Sequence, residues 1–141
     1  MYVNINYLAV LAAAAASYIL GWIWFGPLFG KLWMRLEGIT EMKPSFKDMA
    51  VTITGGIIGS LLMSFVLAHL ILFAMAYSAF MHYDGILEGL LTGFWTWLGF
   101  IAPVTVGSVL YNKKPWSLWL LGNAYWLISL IIMGFILSVW R

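Results

Sequence analysis

The sequence predicts an all-α integral membrane protein with four transmembrane helices and one short interfacial helix after the first. Of the 141 residues, 64 % are apolar and only 9 % are charged. Soluble domains are typically about 45–50 % apolar and about 25 % charged. The apolar residues form four long runs, each long enough to cross about 30 Å of hydrocarbon as a helix. We therefore treat residues 1–141 as a single membrane domain without a separate soluble part.

The first transmembrane helix is predicted over residues 5–25. Gly26-Pro27 should end it, because proline cannot continue the helical hydrogen-bond pattern. After Pro27, apolar and aromatic residues recur at spacings of three and four, with Lys31 and Arg35 between them. This pattern is typical of an amphipathic helix in the membrane interface, here predicted over residues 28–37.

The second apolar run carries no Asp, Glu, Lys or Arg from Met49 to Met81. Ser45 and Asp48 fit a capping box at its start. No proline interrupts the run, so we predict one long helix over residues 49–78 that either tilts in the membrane or extends beyond it. Gly55 and Gly59 form a small-residue face that favours close contact with another helix.

The third and fourth transmembrane helices are predicted over residues 86–110 and 117–139. Gly89 and Gly93 give the third helix a second small-residue face. Pro103, in the same helix, should kink it. A turn of sequence Asn-Lys-Lys-Pro at residues 112–115 separates the two helices.

The positions of the basic residues predict how the chain crosses the membrane. The first and third connections lie on the same side of a four-helix protein. They hold six of the seven lysines and arginines, which are Lys31, Arg35, Lys43, Lys47, Lys113 and Lys114. The positive-inside rule places these connections in the cytoplasm and both termini outside.

Several motifs resemble a known family. They are Asn6-Tyr-Leu-Ala-Val10, Gly21-Trp-Ile-Trp-Phe-Gly-Pro27, Gly93-Phe-Trp-Thr-Trp-Leu-Gly99, Lys114-Pro-Trp116 and Asn123-Ala-Tyr-Trp126. Together they resemble the small bacterial membrane proteins catalogued as domain of unknown function 1761. The resemblance covers nearly the whole chain and implies four helices in a bacterial inner membrane. It implies no activity and transfers no catalytic residue.

His69 is the sharpest single candidate for chemistry. An ionisable side chain within a membrane helix is costly and is often functional. Its imidazole can bind the metal of a haem or a pigment, or relay a proton. The alternative is a structural histidine that bonds a neighbouring helix or reaches the interface.

A second candidate is the polar cluster of His82, Asp84 and Glu88 on the outer side. One imidazole and two carboxylates can bind a divalent cation or accept protons. The alternative is a solvated turn, in which Asp84 caps the third helix and Glu88 complements its dipole.

Polar residues within the apolar runs, above all Asn123 and Thr96, are expected to hydrogen-bond between helices, as are Ser17 and Ser129. Trp95, Trp97 and Trp126 lie deeper than the interfacial aromatic residues. They either line a pocket for a lipid, quinone or pigment, or simply pack.

These observations predict a non-catalytic protein that acts through helix association, either as a homo-oligomer or as an accessory subunit of a larger membrane complex. The chain has no cysteine, no nucleophile–base pair and no basic nucleic-acid-binding face. We expect no cofactor and, as partners, membrane lipids and other membrane helices, but no nucleic acid. One alternative is a small oligomeric transporter or channel with Asp84 and Glu88 at its mouth. Another is a haem- or pigment-binding protein that uses His69.

Overall fold

The computed structural model describes residues 4–78 and 85–140. Within these ranges the chain contains helices and no strands. Four helical segments are long and apolar enough to cross a membrane, namely Tyr7–Leu28, Phe46–Tyr77, Gly85–Leu110 and Trp116–Val139. The all-α class with four candidate spans is therefore confirmed.

The first span begins with helix α1, Tyr7–Ile23, whose start is capped by the Asn6 side chain. The Asn6 side-chain oxygen, Oδ1, accepts hydrogen bonds from the backbone N–H groups of Leu8 at 3.0 Å and Ala9 at 3.3 Å. Around Gly26-Pro27 the helix widens into a π-helical turn, Trp24–Leu28, because Gly26 leaves helical geometry at φ −105° and ψ −105°.

A short helix α2, Gly30–Glu37, follows this turn. It begins two residues later than predicted and ends at Gly38, whose φ of 78° suits a residue without Cβ. The amphipathic helix is thus present, and its position in a membrane interface stays a prediction.

The second span is one continuous helix, α3, Phe46–Ser78, of 33 residues. The predicted capping box is present at its start. The Ser45 hydroxyl accepts from the Asp48 backbone N–H at 3.2 Å, and the Asp48 carboxylate accepts from the Ser45 backbone N–H at 3.4 Å. At 1.5 Å per residue the helix is about 50 Å long, so it exceeds the thickness of one bilayer core.

The third span departs from a regular α-helix around Pro103, the residue at which a kink was predicted. Helix α4, Gly85–Thr96, passes into a π-helical turn, Trp97–Ile101, and then into the short helices α5, Ala102–Thr105, and α6, Gly107–Leu110. Proline has no N–H to donate and its ring clashes with the preceding turn, so a regular helix cannot run through it. The fourth span is the unbroken helix α7, Trp116–Val139, which begins after Pro115.

Helix α7 is the centre of the bundle, because it packs against both α4 and α1, and α1 in turn packs against α3. The main apolar core joins the start of α1 to the second half of α3 and the second half of α7. Its buried members are Ala9, Val10, Ala13, Leu67, Ala68, Ile71, Leu130, Met133 and Leu137. A hydrogen bond of 2.8 Å from the Ser64 hydroxyl to the Val10 carbonyl holds α3 to α1 here.

The first half of α3 behaves differently from the second. Every residue from 46 to 59 is exposed, whereas Ser64, Leu67, Ala68 and Ile71 are buried. The helix therefore diverges from the bundle toward its beginning, and we call residues 46–59 the free half of α3.

Candidate functional site

The divergence of α3 opens a crevice between α1, α3 and α7, which we call the α3 crevice. It has a volume of about 400 Å³ and mostly apolar walls. Its lining residues are Ser17, Tyr18, Gly21, Trp22, Thr52, Gly55, Gly56, Gly59, Ser60, Met63, Tyr125 and Trp126. Three glycines of α3 are thus aligned along one wall.

The predicted pair Gly55 and Gly59 borders open space in the part of the chain that the structure describes. A Cβ atom built on either residue meets no atom within 4 Å. Gly56, between them, does have a role inside the protein, because its Cβ would lie 2.8 Å from the ring of Tyr18. The Gly55 and Gly59 surface is therefore open.

The second predicted pair, Gly89 and Gly93, packs directly against the backbone of α7. A Cβ on Gly93 would lie 2.5 Å from the carbonyl oxygen of Leu130 in α7, and one on Gly89 would collide with the carbonyl oxygen of Gly134. The absence of side chains is what allows the backbones of α4 and α7 to approach so closely.

Two serines join α1 to α7 in the buried interior. The hydroxyls of Ser17 and Ser129 lie 2.6 Å apart and are both inaccessible to solvent. The Tyr125 hydroxyl also donates to the Ser17 carbonyl at 3.3 Å. These contacts are of the interhelical kind expected of polar groups in lipid.

Asn123 belongs to a hydrogen-bond network centred on Thr105. The Asn123 side-chain nitrogen donates to the Thr105 hydroxyl at 2.9 Å and to the Trp119 carbonyl at 3.1 Å. The Trp119 indole N–H also donates to that hydroxyl, at 3.1 Å. The hydroxyl in turn donates to the Ile101 carbonyl at 2.8 Å. The network ties α7 to the interrupted part of the third span.

One atom of this network has no partner. The side-chain oxygen of Asn123 accepts no hydrogen bond from the described residues, although the residue is only 4 % exposed. A buried acceptor left unsatisfied typically costs about 1–3 kcal/mol, so it needs an explanation.

Asn123 lines a second cavity, which we call the α2–α7 cavity. It has a volume of about 330 Å³ and lies between α2, α7 and the end of the third span. Its lining residues are Phe25, Trp33, Glu37, Thr105, Ser108, Asn112, Lys114, Leu118, Trp119, Gly122, Asn123 and Trp126. The Lys114 ammonium and the Glu37 carboxylate form an ion pair of 2.6 Å there.

Thr96, the other predicted intramembrane polar residue, is half-buried at the end of α4. It is not part of the Thr105 network. The structure therefore brings Asn123 together with Thr105, not with Thr96. Sequence reasoning missed Thr105, and the signal that pointed to it was Pro103, because Ser and Thr near a membrane proline often bond freed backbone groups.

His69 is half-buried on α3 and is satisfied by its own helix. Its Nδ1 lies 2.8 Å from the Phe65 carbonyl oxygen, which can only accept, so Nδ1 carries the proton. The Phe65 ring packs edge-on against the imidazole at 4.4 Å between centroids. This is the geometry of a structural histidine, and Nε2 is the only nitrogen left for a ligand. Cofactor binding at His69 stays a prediction.

Of the predicted outer cluster, only Glu88 lies within the described residues, and His82 and Asp84 lie outside them. Glu88 is in the first turn of α4 and is only 7 % exposed, so it does not project into solvent. Its Oε1 has no hydrogen-bond partner among the described residues. Within residues 4–78 and 85–140, no group of three metal-binding side chains is present.

Comparison with protein families gives one match. The family model of a protein of unknown function, DUF1761, matches residues 8–138. The chain belongs to the DUF1761 family. The match covers all four spans of the DUF1761 fold described above, apart from the first and last residues of the bundle. Comparison with curated proteins and with solved structures gave no match.

Proposed function

We propose that this DUF1761 protein is a non-catalytic protein of the bacterial cytoplasmic membrane that acts by binding another transmembrane helix. The binding surface is the free half of α3, with Gly55 and Gly59 at its centre. The observation that supports the proposal is that this glycine pair is open, whereas the pair on α4 is filled by α7.

Glycine in the middle of a helix needs a reason, because it lowers helix stability by up to about 1 kcal/mol relative to alanine. In Gly56 and Gly93 the reason is a close contact inside the protein. Gly55 and Gly59 have no such contact. In lipid, small residues promote association because they let two helix backbones approach closely. A helix from another chain would pack closely against Gly55 and Gly59, as α7 packs closely against Gly93.

We take a second copy of this chain as the partner. A two-fold interface uses the same surface on both subunits, so the surface must fit itself. A continuous helix with two glycines four residues apart meets this requirement, because each helix can enter the shallow groove of the other. A different membrane protein that uses the chain as an accessory subunit is the other outcome of the experiment below.

The proposed orientation has both termini outside and the first and third connections in the cytoplasm. The ion pair between Glu37 and Lys114 supports a common side for these connections, because Glu37 ends α2 and Lys114 precedes α7. That side carries most of the basic residues, as the positive-inside rule requires of a cytoplasmic face.

Disulfide cross-linking in native membranes tests the association. The natural sequence has no cysteine, so a single Thr52→Cys variant reports only on the α3 crevice. We expect a covalent dimer from Thr52→Cys and none from Val104→Cys, a matched control on an exposed position of the third span. Adding Gly59→Leu to Thr52→Cys should abolish the dimer.

If Thr52→Cys cross-links to a different protein, the partner is that protein and not a second copy, and the chain acts as an accessory subunit. If Thr52→Cys gives no more cross-linked product than Val104→Cys, the free half of α3 faces only lipid and the proposal is wrong.

Glu88 favours a second candidate function, transport of protons or cations by an oligomer. A carboxyl group buried at a membrane helix is costly, and such groups often mark an ion pathway. Glu88 is 7 % exposed, and its Oε1 has no partner among the described residues.

Flux from liposomes tests this second function. A Glu88→Gln variant keeps the shape of the side chain but cannot exchange a proton, so proton or cation flux should fall at least about tenfold. Glu41→Gln, at an exposed residue before α3, is the control and should leave flux unchanged. Absence of protein-dependent flux in the natural sequence would exclude transport of the ions tested.

A further inference from the structure

The α2–α7 cavity combines three features that point to a bound small molecule. It is about 330 Å³ in volume, within the usual range for small-ligand sites. Its walls carry four aromatic side chains, from Phe25, Trp33, Trp119 and Trp126. It also contains a polar side chain, that of Asn123, which is almost fully buried and retains an unpaired acceptor.

The unpaired oxygen of Asn123 cannot be satisfied by rearranging its neighbours. The Trp119 carbonyl can only accept, so the amide nitrogen must face it and the oxygen must face away. Thr105 has one proton, which it gives to the Ile101 carbonyl, and it receives the protons of both Asn123 and Trp119. A hydroxyl has one donor and two acceptor sites, so Thr105 is saturated. The donor to Asn123 must come from outside this network.

The electrical character of the cavity favours a neutral ligand. Glu37 and Lys114 are the charged residues that line it, and they neutralise each other across 2.6 Å. A charged ligand would have to break this pair or remain unpaired beside it. A flat ring, by contrast, gains from offset or edge contacts with indole and phenyl side chains.

We propose that the α2–α7 cavity binds a neutral, hydroxyl-bearing aromatic ring of the phenol class. The ring lies among the indoles of Trp119 and Trp126, and its hydroxyl donates to the Asn123 side-chain oxygen. The hydroxyl thereby supplies the donor that the Thr105 network lacks. The site is separate from the α3 crevice in all but Trp126, so it does not rest on the proposed association.

The test uses 4-fluorophenol, observed by fluorine NMR with the full-length protein in lipid nanodiscs. Its matched probe is 4-fluoroanisole, which has the same ring but no donor. Empty nanodiscs measure simple partitioning of both compounds into lipid. We expect saturable binding of 4-fluorophenol to the protein and about tenfold weaker binding of 4-fluoroanisole, the loss typical of one buried hydrogen bond.

Two variants remove the site by different means. Asn123→Leu removes the acceptor at similar volume and should weaken 4-fluorophenol binding about tenfold, to the level of 4-fluoroanisole. Gly122→Leu should block binding of both probes by filling the cavity, and it can be accommodated because a Cβ at Gly122 meets no atom within 4 Å. Gly59→Leu, a matched substitution in the α3 crevice, should leave binding unchanged even if it abolishes association.

The source of the ligand is distinguished by competition. Displacement of 4-fluorophenol by 4-dodecylphenol dissolved in the nanodisc lipid supports a ligand that arrives from the membrane. Binding of 4-fluorophenol without such displacement supports a ligand that arrives from water. The proposal is overturned if 4-fluorophenol shows no saturable binding, because water alone then fills the cavity. It is also overturned if the two fluorinated probes bind equally, because the hydroxyl then makes no bond to Asn123. Unchanged binding by Gly122→Leu, shown to be folded by its thermal unfolding, would overturn it as well, because the probe then sits outside the cavity.

Discussion

The same sequence pattern, two glycines four residues apart, occurs in two places and has two different surroundings. On α4, Gly89 and Gly93 lie against the backbone of α7, so closely that a methyl group would collide with it. On α3, Gly55 and Gly59 face an open crevice, and a Cβ on either would meet no atom of another element within 4 Å among the described residues. The first pair packs two helices of the same chain together. The second pair leaves a surface on α3 open.

The contrast shows that the pattern by itself does not distinguish an internal contact from an external one. What distinguishes them is the position of the neighbouring helices. The second half of α3 is held to α1 by Ser64 and by a buried apolar core. Toward the start of α3 these contacts end, and residues 46–59 are all exposed.

The largest expected difference between the two regions follows from adding one methyl group to each. Gly93→Ala should destabilise the protein by about 3 kcal/mol, because the new Cβ would meet a rigid backbone carbonyl. Gly59→Ala should not destabilise the monomer, because its Cβ enters open space. Unfolding in mixed micelles with increasing SDS measures both. Equal destabilisation by the two substitutions would contradict the distinction between a filled and an open glycine pair.

A smaller effect is expected from the serine contacts of the packed region. Ser129→Ala should cost about 0.6–1.7 kcal/mol, the range found for hydrogen bonds between membrane helices, because it leaves the Ser17 hydroxyl without this partner. Ser60→Ala on α3 is the matched control, because among the described residues the Ser60 hydroxyl bonds to the Ile57 carbonyl of its own helix. The same unfolding titration should show Ser60→Ala close to neutral. A loss at Ser60 as large as that at Ser129 would mean that α3 is also held tightly at this point.

The smallest effect is expected at the ion pair between Glu37 and Lys114. Both side chains are about one-third exposed, at 29 % and 38 %, so solvent and salt weaken their attraction. Lys114→Met should lower stability by about 0.2–1 kcal/mol at low salt and by less at high salt. Lys113→Met, at the preceding residue, should show no salt-dependent loss. A salt-independent loss at Lys114 would indicate that the side chain matters through its packing and not through its charge.

Most of the fold could be predicted from the sequence, because a chain that crosses lipid must use long apolar segments whose backbone groups are hydrogen-bonded. A charge-free run of about 20 or more residues is typical of a membrane helix, which satisfies all its backbone groups within one segment. Ser45 and Asp48 marked the start of α3 correctly, and Pro103 marked the interruption of the third span. The boundaries shifted by a few residues where short elements such as α2 meet a turn.

The candidate sites were less predictable, because they depend on which side chains meet. Asn123 was identified as a polar residue within a membrane helix, but its partner Thr105 lies in a different span. Glu88 was expected either to be solvated or to join a metal site, and its burial depends on how α4 packs. The sequence does not show which partner a His69 ring nitrogen has. In the structure, Nδ1 bonds to the Phe65 carbonyl of the same helix.

The length of α3 has a consequence for how the protein responds to its surroundings. A helix of 33 residues, about 50 Å long, exceeds about 30 Å of hydrocarbon, so it must tilt in the membrane or extend beyond it. Its angle therefore depends on bilayer thickness. Because Ser64 fastens the second half of the helix, a change of angle is taken up at the free end. We therefore expect the width of the α3 crevice to change with bilayer thickness.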